Sequence, residues 1–254
     1  MYAKAPAAPL LDLPFRFNLR GQLRDMADFV FLGGYHGRPV AGCYNSFNLP
    51  VQRELEMLAG RLPDPRAADA LHALGFGALV VHEEILLPRQ REGWRANVEQ
   101  LVAAGRLVPL GEAPEHRLYG LASPVPVAAT FEALAPAGAP TEVLEARPPQ
   151  ANLAMPFRNG SAATYRHPDP IEPTALVVRW YDGGGALVAE YRSRALLPVA
   201  LGSGVAVVRA VPTAVPAAAG EYEVTVAPAA TPAVVVTRSR VRVEPAAGSR
   251  GGRS

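Results

Sequence analysis

Two hydrophobic periods divide this chain. From Leu10 to Leu121 short apolar runs alternate with stretches at helical spacing, the pattern of an α/β or α+β unit. Leu10–Phe15 reads as a strand stopped by Pro14. Val51, Leu55, Leu58 and Leu62 fall at three- and four-residue intervals and predict an amphipathic helix over Leu49–Leu62. Asp64-Pro65 opens a second helix, with Asp64 as N-cap and Pro65 at the first helical position. Its apolar face is Ala68, Leu71 and Leu74, and Gly75 ends it. Ala78–His82 is too short and too β-branched for a helix and reads as a buried strand. A third helix is expected over Trp94–Ala104, with Trp94, Val98, Leu101 and Val102 on one face, and a closing strand over Arg117–Leu121.

From Asn152 the period drops to two. Leu176, Val178 and Trp180 alternate with Val177, Arg179 and Tyr181, and Asp182-Gly183-Gly184-Gly185 makes a hairpin turn into Leu187, Ala189 and Tyr191. Val205–Val211, Glu221–Val226 and Val234–Val243 supply three more strands. Five or more short strands with regular turns imply an antiparallel sandwich. The run PAAAGEYEVTV resembles the late strand of immunoglobulin-like and fibronectin-like domains, with Tyr222 as the corner tyrosine and Trp180 as the core aromatic. The expected class is therefore α+β. An N-terminal α/β domain covers 1–122, a Pro/Ala-rich linker 123–150, an immunoglobulin-like β-sandwich 151–246 and a disordered tail 247–254. The linker is semi-rigid and is expected to contribute one early strand.

Composition narrows the function classes. The chain has 254 residues, 49% of them hydrophobic and 19% charged, enough to bury a substantial core. A net charge of +2 and 7% aromatic residues argue against a nucleic-acid interface. The Arg, Ala and Pro bias reads as the signature of a GC-rich genome. One cysteine, Cys43, excludes an internal disulfide and a multi-cysteine zinc site, and fits a small apolar filler. No run of about 18 apolar residues is long enough to span a bilayer. The Pro-broken start MYAKAPAAPLLDLPF lacks a signal h-region, so the chain carries no visible route across a membrane.

The segment His36–Phe47 holds the densest group of polar side chains in an apolar setting. His36, Arg38, Tyr44, Asn45 and Ser46 suit a small polar ligand such as a sugar hydroxyl; they equally suit a tight turn in which His36 and Asn45 bond local backbone. His82-Glu83-Glu84 closes a strand, where site residues often lie. A metal held by His82 with Glu83 or Glu84 lacks a third ligand in any sequence pattern, so no metal site is expected. There is no Gly-x-Ser-x-Gly elbow, LGSGV at 201–205 being a strand-entry turn, and no P-loop or dinucleotide fingerprint. No catalytic residues and no cofactor are assigned. Arg238, Arg240 and Arg242 share one strand face, with Arg250 and Arg253 beyond. Such a stripe suits an anionic lipid or polysaccharide, or simply keeps an edge strand soluble, which is the expectation adopted.

The order of pieces in the first region carries a resemblance. A strand ends in Leu13-Pro14, His36-Gly37-Arg38-Pro39 follows, then the turn GCYNSF (42–47), a helix, LGFGALVVH (74–82) and EHRLYGL (115–121). This resembles the extracytoplasmic domain of bacterial lipid-linked-sugar glycosyltransferases of the GT-C type, relatives of the protein mannosyltransferases. In their Asn-Gly-Tyr-Ser-Gly-Phe turn the Tyr and Phe match Tyr44 and Phe47, while Gly42, Cys43, Asn45 and Ser46 stand at the other four positions. In such enzymes the acidic catalytic residue lies in the transmembrane half. The resemblance, over about 110 residues, thus implies a non-catalytic accessory or acceptor-recognition module, extracytoplasmic or membrane-associated. Its implied partners are a glycan, an envelope protein or a membrane-embedded glycosyltransferase half, and no nucleic acid. The alternative is a standalone binding or assembly protein of the cell envelope that uses its sandwich. A hydrolase built on His36 or His82 is a third reading without a nucleophile to support it.

Overall fold

The computed structural model describes residues 4–15, 39, 50–134, 136, 143–170 and 174–245. The chain is α+β and divides into two compact units, Met1–Val127 and Ala128–Ser254.

The first unit runs β1 (Leu10–Leu13), α1 (Pro50–Ala59), α2 (Pro65–Ala73), β2 (Ala78–His82), α3 (Pro88–Ala103), β3 (Leu107–Ala113) and β4 (His116–Leu121). Its sheet has the order β1-β2-β4-β3, with β1 parallel to β2 and the remaining pairs antiparallel. Every residue of β1 and β2 is buried, so both read as continuous apolar runs instead of alternating ones. Leu10, Ala78, Val80 and Leu118 pack together on one face. Asp12, His82 and His116 continue that face by the period-two rule.

The helix ends follow local chemistry. Asp64 Oδ1 accepts the Arg66 N–H at 3.0 Å, the N-cap expected from Asp64-Pro65. Gly75 takes φ +97°, and the N–H groups of Gly75 and Phe76 bond the carbonyls of His72 and Leu71, closing α2 in a Schellman turn. Helix α3 starts six residues before the expected Trp94, and β3 is an unexpected strand. It forms a hairpin with β4 through Pro114-Glu115.

The second unit contains β5 (Val127–Ala128, at the boundary), a 3₁₀ turn Phe131–Ala133, β6 (Val143–Ala146), β7 (Gln150–Arg158), β8 (Thr164–Arg166), β9 (Ala175–Tyr181), β10 (Leu187–Leu196), β11 (Ala200–Leu201), β12 (Ala206–Ala214), β13 (Gly220–Pro228) and β14 (Thr237–Val243). Five strands form one sheet in the order β10-β9-β13-β14-β6, antiparallel except for β14 with β6. Strands β7 and β12 pair antiparallel, and β11-β8-β5 make a third, small sheet. Leu153, Met155 and Phe157 of β7 share one core with Val178 and Trp180 of β9 and with Tyr222, Val224 and Val226 of β13. Burial alternates strictly along β7 and β14, as period-two patterning requires. Asp182 Oδ1 accepts the N–H groups of Gly184 and Ala186, each at 2.9 Å, and sets the β9–β10 hairpin.

Two expectations need correction. The span 123–150 is not simply a linker. Phe131, Ala133, Leu134 and Ala146 are buried in the second core, and β6 is a strand of the five-stranded sheet. Alanine and proline bias in this stretch hid apolar residues that pack. The arginine stripe lies on β14, which is flanked by β13 and β6 and is no edge. Its charge is matched across the ladder: Arg242 Nη2 lies 2.9 Å from Glu221 Oε1 and Arg238 Nε 3.4 Å from Glu223 Oε1. The expected tail, 247–254, lies outside the described residues.

Candidate metal centre

The C-terminal ends of the parallel strands β1 and β2 bring Asp12 and His82 side by side. Strand ends of this kind are where open sheets place their sites. His82, the last residue of β2, is 2% exposed and its Nε2 lies 2.8 Å from Asp12 Oδ1 on β1, itself 5% exposed. A carboxylate only accepts, so Nε2 carries a proton, and the other ring nitrogen is Nδ1. That Nδ1 is 3.4 Å from Glu84 Oε1.

His116 arrives from β4. The β2–β4 register pairs it directly with His82, and the two rings meet edge to face with centroids 5.0 Å apart. His116 Nδ1 lies 3.5 Å from Glu84 Oε2, is shielded from solvent, and makes no hydrogen bond among the described residues. One donor atom from each of His82, Glu84 and His116 thus falls within 4.8 Å of the other two. Glu115, just before His116, takes φ +62°, and its carbonyl accepts the Glu83 N–H at 2.7 Å. A non-glycine residue in this region is strained, so tertiary contacts hold the hairpin tip in place.

Glu83 and Glu84 have parted company. The Glu83 carboxylate is buried against Arg95, at 3.1 Å from Nε and 2.7 Å from Nη2, with Arg117 Nε at 3.7 Å. The bidentate Arg95 hydrogen bonds hold its carboxyl below the usual range. Glu83 is therefore a structural ion-pair partner, and Glu84 alone joins the histidines.

Of the residues singled out from sequence as ligand-binding, His36, Arg38, Tyr44 and Asn45 lie outside the described residues, as does Cys43. The histidine missing from the sequence-level metal pattern is His116. It sits 34 residues beyond His82, and its only signal was a His at the start of the closing strand, opposite the end of β2. Among the described residues no helix is long and apolar enough to cross a membrane. No protein-family model matches the chain, and no match was found among curated proteins or solved structures.

Proposed function

We propose that this chain is a non-catalytic accessory or acceptor-recognition module, related to the extracytoplasmic domain of lipid-linked-sugar membrane glycosyltransferases, in which an immunoglobulin-like sandwich follows the α/β unit. The observation that carries the reading is the Asp12–His82 hydrogen bond. It joins two pieces of the resemblance, the strand ending in Leu13-Pro14 and the run ending in His82, which stand 70 residues apart.

The sandwich assignment is supported by three features of the second unit. An early strand, β6, runs parallel to the last, β14, and the sheet continues through β13, β9 and β10. A separate pair, β7 and β12, contributes side chains to the same core. Tyr222 Oη donates to the Ala218 carbonyl at 2.9 Å, the corner bond of immunoglobulin-like domains.

The full chain is tested on an array of envelope glycans and, separately, for transfer from a polyprenyl-phosphate sugar. Glycan binding without transfer is the expected result, weakened by Tyr44→Ala or His36→Ala. Sugar transfer would overturn the accessory reading. Absence of glycan binding would favour the standalone assembly protein, whose contact surface is the sandwich.

A further inference from the structure

We propose that His82, Glu84 and His116 bind a divalent transition-metal ion, zinc foremost, with Asp12 as the positioning residue that orients His82. Three observations converge. The first is spacing. Zinc–ligand bonds of about 2.0–2.1 Å in a tetrahedron set neighbouring donor atoms about 3.3 Å apart. His82 Nδ1 lies 3.4 Å from Glu84 Oε1 and His116 Nδ1 3.5 Å from Glu84 Oε2, and one donor atom from each residue falls within 4.8 Å of the other two, close enough for one ion to draw the three together.

The second is the orientation of His82: Asp12 accepts from Nε2, and this turns Nδ1 toward Glu84. A carboxylate–histidine pair of this kind is the arrangement that orients imidazole ligands in metal sites. The third is the solvent-shielded His116 Nδ1, which has no hydrogen-bond partner among the described residues although it faces the same carboxylate. Buried polar atoms without partners are uncommon and ask for an unseen one. A cation between the three groups satisfies all of them together.

The donor set selects the metal. Two imidazoles and one carboxylate suit zinc and its neighbours in the first transition row, whereas calcium and magnesium prefer oxygen throughout. Three protein donors leave a fourth position open, and the side chains of Glu84 and His116 are each 34% exposed, so water or an oxygen of a bound molecule completes the shell. The inference does not depend on the glycosyltransferase resemblance.

The test uses the untagged full chain, stripped with chelator and titrated with Co²⁺ and then Zn²⁺. One cobalt per chain with the intense visible bands of tetrahedral coordination, displaced by zinc, is expected, together with a zinc-dependent rise in Tm. His116→Ala and Glu84→Gln, at part-exposed positions that tolerate change, should each weaken binding by tenfold or more. Asp12→Asn should weaken it by about 10–100-fold while the chain stays folded. His72→Ala, on α2, should leave it unchanged. Failure to bind either metal overturns the proposal, as does binding that survives both His116→Ala and Glu84→Gln.

Discussion

Trp180 Nε1 donates to Thr213 Oγ1 at 3.2 Å, linking β9 of the five-stranded sheet to β12 of the opposing pair. Both residues are buried, and the indole also meets the Tyr222 ring edge to face at 5.8 Å. Thr213→Val keeps the shape and strands the indole N–H, so it should cost about 1–3 kcal/mol. Trp180→Ala should cost about 3–5 kcal/mol through the cavity it leaves. Urea denaturation followed by circular dichroism measures both, and a neutral Thr213→Val would show that the bond contributes nothing.

Tyr222→Phe removes only the corner bond to Ala218. A loss of about 0.5–1.5 kcal/mol is expected, with the Trp180 environment kept. The chain has two tryptophans, so a Trp94→Phe background makes Trp180 fluorescence the reporter of the second unit. An unchanged midpoint would remove the corner from the list of stabilising contacts.

In the first unit Asp69, 4% exposed, accepts from Arg106 Nε at 3.1 Å, Arg106 Nη2 at 3.2 Å and Ser123 Oγ at 2.7 Å. Breaking a buried pair from one side leaves the other charge uncompensated. Asp69→Ala should therefore destabilise by about 3–5 kcal/mol. Trp94 fluorescence in a Trp180→Phe background follows the unfolding, and a shift under 1 kcal/mol (about fivefold in the equilibrium) would refute the clamp.

His167 is fully buried beside Phe131, and its Nδ1 accepts the Asp169 N–H at 3.0 Å. Burial lowers its pKa below the ordinary 6.5, outweighing the Asp169 hydrogen bond and charge, which act to raise it. Between the lowered folded value and the unfolded value near 6.5 the unfolded chain binds the extra proton. Stability of the second unit should thus fall as pH drops below about 6.5 and stay level above it. The difference between the parent chain and His167→Gln, measured from pH 7.5 to 5.5, isolates this slope. Parallel curves would contradict it.

Glu115 adopts φ +62° at the β3–β4 turn. Glycine meets no Cβ penalty there, so Glu115→Gly should stabilise the hairpin by about 1 kcal/mol. A lower Tm would mean that the Glu115 side chain makes a compensating contact.

The sequence by itself determined what short-range physics controls. Asp64-Pro65 and Gly75 delimit α2 because capping and positive φ are decided within a few residues. Val178/Trp180 and Val224/Val226 face the core because period two follows from the pleat. Only the tertiary structure decided what each buried face meets. Periodicity says that β6 and β14 have an inner face; it cannot say that strands nearly a hundred residues apart run side by side in parallel. The same limit hid the His82–Glu84–His116 cluster. Glu83 and Glu84 are indistinguishable neighbours until the chain turns after His82, where Arg95 takes one and the histidines receive the other. His116 joins them through a β2–β4 register that depends on chain folding between them, for which no local pattern exists.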